Sequence, residues 1–101
     1  MIKYALLATL KAKPGKEKEV EAFLKSGGEM AIDEPKTITW YAFKLSTDTF
    51  CIFDTFEDES GREAHLTGEI AKALMAKAPD LFSVDPDIKK ADVLAVKNQG
   101  D

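Results

Sequence analysis

Residues 2–11 and 50–56 are apolar at odd and even positions alike, and no other pattern in the chain restricts its fold more. Successive side chains of a strand point to opposite faces, so strands of this kind must be covered on both sides. In 2–11, Tyr4, Leu6, Ala8 and Leu10 share one face while Ala5, Leu7 and Thr9 share the other. In 50–56, Phe50, Ile52 and Phe56 oppose Cys51 and Phe53. One layer of helices covers only one face. Monomers rarely expose apolar patches above roughly a few hundred Å², so the expectation is a homodimer joined through the sheet face.

The segments between supply the helices. Lys13-Pro14-Gly15-Lys16 ends the first strand. Over 16–32, Val20, Phe23, Leu24, Gly27 and Ala31 recur at helical spacing, with Glu17, Lys18, Glu21 and Lys25 on the other side. Glu34-Pro35 then imposes an extended exit, because a residue before proline is pushed out of the α region. Residues 37–43 are β-branched and aromatic, and they form a hairpin with 50–56 around Ser46-Thr47-Asp48-Thr49. Asp58 or Ser60 is placed to cap a second helix, kinked at Thr67-Gly68, continued over 69–78 and ended by Pro79. Arg62, among Glu57, Asp58, Glu59 and Glu63, reads as a solvated ion-pair residue. A last strand lies within 82–96, interrupted at Asp85-Pro86-Asp87, and 98–101 reads as a polar, frayed tail. The order βαββαβ predicts one ferredoxin-like α+β domain over 1–97, an antiparallel sheet with two helices on one face.

Composition narrows the function classes. The 101 residues are 45% hydrophobic and 32% charged, which suits a packed core. With 18 acids against 14 bases and a formal charge of −4, the chain has no electrostatic footprint for nucleic acid. Cys51 is the only cysteine and lies in an apolar strand, so it reads as a small buried hydrophobe in a reducing cytoplasm. The apolar opening is short and leads into Lys11 and Lys13, so it reads as a strand and not as a signal peptide. No run reaches the length of a membrane span. One histidine and one cysteine build no metal motif, and Gly27-Gly28 near a helix end is no phosphate-binding fingerprint.

His65 is the only histidine, and histidine alone titrates near neutrality without help. It is either a general base or a structural residue packed at the Thr67-Gly68 kink. Asp54 lies in an apolar strand, where an unpaired carboxylate is costly, so it must face solvent or find a donor.

Lys13-Pro14-Gly15-Lys16, Glu34-Pro35-Lys36-Thr37 leading to Trp40, and above all Phe53-Asp54-Thr55-Phe56-Glu57-Asp58 followed by Ala64-His65-Leu66 resemble the antibiotic biosynthesis monooxygenase family. The likeness spans nearly the whole chain. It implies a dimeric α/β barrel with a cavity between sheet and helices in each subunit. There a small aromatic quinol, phenol or anthrone reacts with dioxygen without metal or flavin, so no cofactor is expected. The resemblance implies His65 as base, Asp54 as its orienting carboxylate, and Trp40, Phe53 and Phe23 as pocket walls. Against heme-degrading relatives, the pocket Asn, Trp and heme-ligating His fall on Leu7, His65 and Met75. None is kept, so heme degradation is not expected and Leu7 stands as a substrate-contacting position. The alternative is a non-catalytic dimer of the same fold that binds a small ligand. An enclosed pocket lined by His65 and an aromatic favours the enzyme, and a side-chain-filled interior favours the alternative. A His65→Ala variant is expected to lose turnover while its fold survives.

Overall fold

The computed structural model describes residues 1–97, and the expected tail at 98–101 lies outside them. Its strands are β1 (Tyr4–Lys11), β2 (Thr39–Lys44), β3 (Thr49–Phe56) and β4 (Asp87–Asp92); its helices are α1 (Glu17–Ala31), α2 (Glu59–Leu66) and α3 (Glu69–Leu81). The strands pair antiparallel in the order β2-β3-β1-β4. This is the α+β, ferredoxin-like architecture that the order of elements predicts. Among the described residues no helix is long and apolar enough to cross a membrane.

The register assigns the faces. Tyr4 pairs with Phe56, Leu6 with Asp54, Ala8 with Ile52 and Leu10 with Phe50, so these side chains all project toward the helices. There Leu10 and Phe50 meet Val20 of α1, Phe56 packs at the other end of β3 beside His65, and all four are fully buried. Each such burial stabilises the fold by about 1.5–3 kcal/mol. Ile70, Leu74, Ala78 and Leu81 bring α3 onto the same core. Gly15 sits at φ 85°, the left-handed geometry that glycine adopts without a Cβ clash, and so turns β1 into α1. The opposite face carries Leu7 and Phe53, both half-buried, and Tyr41 and Phe43, both exposed.

Three expectations are corrected. The kink at Thr67-Gly68 is a complete break: Thr67 turns its hydroxyl back onto the Glu63 carbonyl at 3.1 Å, and Gly68 is the extended N-cap of a separate α3. Three helices therefore cover the sheet, with α2 and α3 in place of one. Pro79 lies inside α3 and does not end it. Buried Ala78 and Leu81 carry the helix one turn further, where the Lys13 amide bonds the Leu81 carbonyl at 2.8 Å. The final strand, Asp87–Asp92, lies within the expected 82–96, and Phe82 makes an isolated bridge to Ala12. Arg62 is buried at 5% exposure. Its guanidinium keeps the expected ion pair, with Glu59 at 3.4 Å, but is not solvated: it also reaches the Ala5 and Ala91 carbonyls at 3.5 and 3.3 Å and lies 5.0 Å over the Tyr4 ring, because helical phase turns it inward beside His65.

Candidate active site

Asp54 leaves β3 on the helix-covered face, as its pairing with Leu6 requires. α2 begins at Asp58, whose Oδ1 accepts from the Gly61 amide at 2.8 Å and the Ser60 hydroxyl at 2.7 Å. Two turns on, this cap places His65 against the sheet, 5.5 Å from the Phe56 ring. Its Nε2 lies 2.8 Å from Asp54 Oδ2 and its Nδ1 2.6 Å from Glu34 Oε1. Carboxylates only accept hydrogen bonds, so a ring contacting one on each nitrogen carries both hydrogens and is an imidazolium. Burial opposes that charge, but Asp54 and Glu34 outweigh it and hold the His65 pKa above 6.5.

Glu34 is the site residue that sequence reasoning missed. It belongs to the connector between α1 and β2, where the Thr37 hydroxyl donates to its Oε1 at 2.9 Å. A Cβ at Gly61 would stand 3.3 Å from the Lys36 carbonyl, and one at Gly68 would stand 3.3 Å from Glu34 Oε2. Glycine at both positions lets the connector close on the histidine. In the sequence, Glu34-Pro35 carries an extended-exit signal and part of the family resemblance, but nothing in the spacing links Glu34 to a residue 31 positions later.

The structure brings His65 and Asp54 together and separates the other candidates. A cavity of about 30 Å³ borders both, walled by aliphatic side chains such as Leu6, Ile52, Ile70 and Leu74, with no aromatic side chain. Asp54 Oδ1 is buried and has no partner among the described residues. Trp40 pairs directly with Asp54 across β2 and β3, and its Nε1 is likewise buried without a partner among the described residues. The indole rests on Gly27 and Gly28, at 3.2 and 3.4 Å from where their Cβ atoms would be. It also borders an open groove of about 490 Å³ with Leu24, Ala42 and Phe50, rimmed by Lys25 and Lys44. Phe23 packs on the core from α1 toward α3. Leu7 and Phe53 oppose each other on the far face of the sheet, away from His65. Among the described residues no group of three or more His, Cys, Asp or Glu side chains is placed to hold a metal ion.

No family model and no curated protein matches the chain. A solved structure from Nitrosomonas europaea, the NE2512 protein, is 48% identical, with a TM-score of 0.94 over 97% of this chain and 95% of that one. The chain belongs to the family of that protein. The function of the NE2512 protein is unknown, so membership carries a fold and no activity. More distant structures include two with provisional descriptions as antibiotic biosynthesis monooxygenases. The one from Nitrosomonas europaea is 13% identical with a TM-score of 0.81, covering 91% of this chain and 90% of its own. The one from Chloroflexus aurantiacus is 17% identical with a TM-score of 0.73, covering 95% and 97%. The family thus shares the antibiotic biosynthesis monooxygenase-like fold.

Proposed function

We propose that the chain is a cofactor-independent monooxygenase, which deprotonates a small aromatic quinol, phenol or anthrone and lets the anion react with dioxygen. Asp54 Oδ1 carries this reading. It is a buried carboxylate oxygen without a partner among the described residues, on an otherwise alkyl cavity, while its twin is held by His65. A base so placed takes a proton with little competition from water. Both His65 nitrogens are engaged, so the base is Asp54, and His65 holds it in place. This reverses the roles that the family resemblance implies.

Substrate class follows from the neighbours. The groove beside Trp40 and Phe50 has the volume of a small-molecule site. Trp40 offers an unpaired N–H and Asp54 an unpaired acceptor from directly opposed residues. For an anthrone the chemistry balances: the CH₂ carbon gives up two hydrogens and four electrons and gains one oxygen atom as a carbonyl, while the other oxygen atom leaves as water. A second copy on the face bearing Tyr41 and Phe43 completes the assembly.

The test is oxygen uptake with a panel of quinols and anthrones. Wild type should exceed the spontaneous rate, and Asp54→Asn should lose about 10² or more in kcat. Equal rates in the two proteins remove Asp54 from the chemistry. A second reading, ligand binding without turnover, is favoured by the size and lining of the inner cavity, because about 30 Å³ without an aromatic wall holds no ring. Saturable binding of the same compounds with no oxygen consumed would establish it.

A further inference from the structure

We propose that Asp54, His65 and Glu34 form a proton relay between the inner cavity and an outer cleft, with Glu34 as its solvent-side positioning residue. This rests on the reading of Asp54 as a base. The three groups are in line, 2.8 Å from Asp54 Oδ2 to Nε2 and 2.6 Å from Nδ1 to Glu34 Oε1. Their side-chain exposure rises along that line, from 3% at Asp54 through 8% at His65 to 22% at Glu34. At the inner end is the cavity of about 30 Å³, close to the volume of one water molecule. At the outer end is a cleft of about 360 Å³, where Glu34 and Thr37 face Gly61, Ala64 and Gly68.

Protons and charge balance along the line. At rest Asp54 and Glu34 are carboxylates and His65 is an imidazolium, a net charge of −1. When Asp54 Oδ1 takes a proton from substrate, His65 releases its Nδ1 hydrogen to Glu34, which passes it to water in the cleft. Asp54 is then neutral, His65 is neutral with hydrogen on Nε2, and Glu34 is again a carboxylate. The net charge is still −1. The charge of the three side chains is unchanged, and the negative charge formed in the step resides on the substrate anion, whose proton has been delivered to the cleft. The reverse transfer resets the line.

Other charged groups leave the path clear. Asp33, Lys36 and Glu69 border the cleft, but Lys36 reaches toward the Ser60 hydroxyl. Arg62, one turn before His65 in α2, is directed to Glu59 and to the carbonyls of Ala5 and Ala91. Thr37, whose hydroxyl is 3.5 Å from Nδ1, holds the Glu34 carboxylate on the ring.

Two measurements test the relay. In the substrate-free protein, NMR of the His65 ring should show the Nδ1 hydrogen exchanging with water faster than the Nε2 hydrogen, and Glu34→Gln should slow that exchange about tenfold or more. Equal exchange at both nitrogens, or no change in Glu34→Gln, overturns it. In turnover, Glu34→Ala should lower kcat about tenfold or more with KM unchanged, and added formate, small enough for the cleft, should restore the rate. A folded Glu34→Ala with wild-type kcat, or a loss that formate leaves untouched, also overturns it. If wild type consumes no oxygen, the monooxygenase reading fails, and the NMR measurement alone decides the relay.

Discussion

A histidine with a carboxylate on each nitrogen is bound to the fold through its charge, so its contribution to stability follows the proton. The folded pKa of His65 is raised, so the native state binds that proton more tightly than the unfolded chain does. Its stabilisation is full below the ordinary value of 6.5 and is lost as pH rises through the folded pKa. Unfolding in urea should therefore show stability falling above pH 6.5, with a slope of up to about 1.4 kcal/mol per pH unit from this one group. In Glu34→Gln the fall should begin at the same pH but end at lower pH and be smaller; a flat wild-type profile would contradict the assignment. The exposed carboxylates Asp48 and Asp58, whose pKa values are lowered by hydrogen bonds from Thr49 and Ser60, act only at the acid end. The same coupling changes the expectation for His65→Ala. Removing the cation leaves Asp54 buried and uncompensated, a cost of about 3–5 kcal/mol, so lost activity there does not separate chemistry from folding. Asp54→Asn does.

Among the elements, α1 is shaped by the side chain it receives. Gly27 and Gly28 form the seat of the Trp40 indole, and the two positions differ in room. An alanine at 28 meets the ring at ordinary contact distance, so Gly28→Ala should gain most of the helix-propensity difference, about 0.5–1 kcal/mol. At 27 the contact would be 3.2 Å, and that gain is offset by displacement of the ring. Thermal unfolding of the two variants checks the order, and a more stable Gly27→Ala would refute it. Most elements were legible because their signals are local: alternation in β1 and β3, the apolar stripe of α1, and the Asp58 cap. The α2–α3 break was less so, since Thr67-Gly68 marks a weak point without saying how far it opens. Pro79 was misread because the buried residues on either side outweigh its missing amide. The site was half legible. Asp54 and His65 lie in one recognisable motif, whereas Glu34 meets them only through the packing of the connector on α2.

For the whole molecule, the sheet face away from the helices is the open question of assembly. Tyr41 is 60% and Phe43 43% exposed there, with Leu7 and Phe53 beside them. A second copy placed sheet to sheet removes this apolar surface from water. Light scattering should give the mass of two chains at micromolar concentration, and the double variant Tyr41→Lys/Phe43→Lys should give that of one; a single-chain mass for wild type would refute the dimer. The order of the strands has a consequence of another kind. β1, the first of the four strands in chain order, is an interior strand of the sheet and is hydrogen-bonded to both β3 and β4. It can gain its second neighbour only when residues 87–92 have been synthesised, so during translation one edge of an apolar strand must wait for all the other elements of the sheet and its helices.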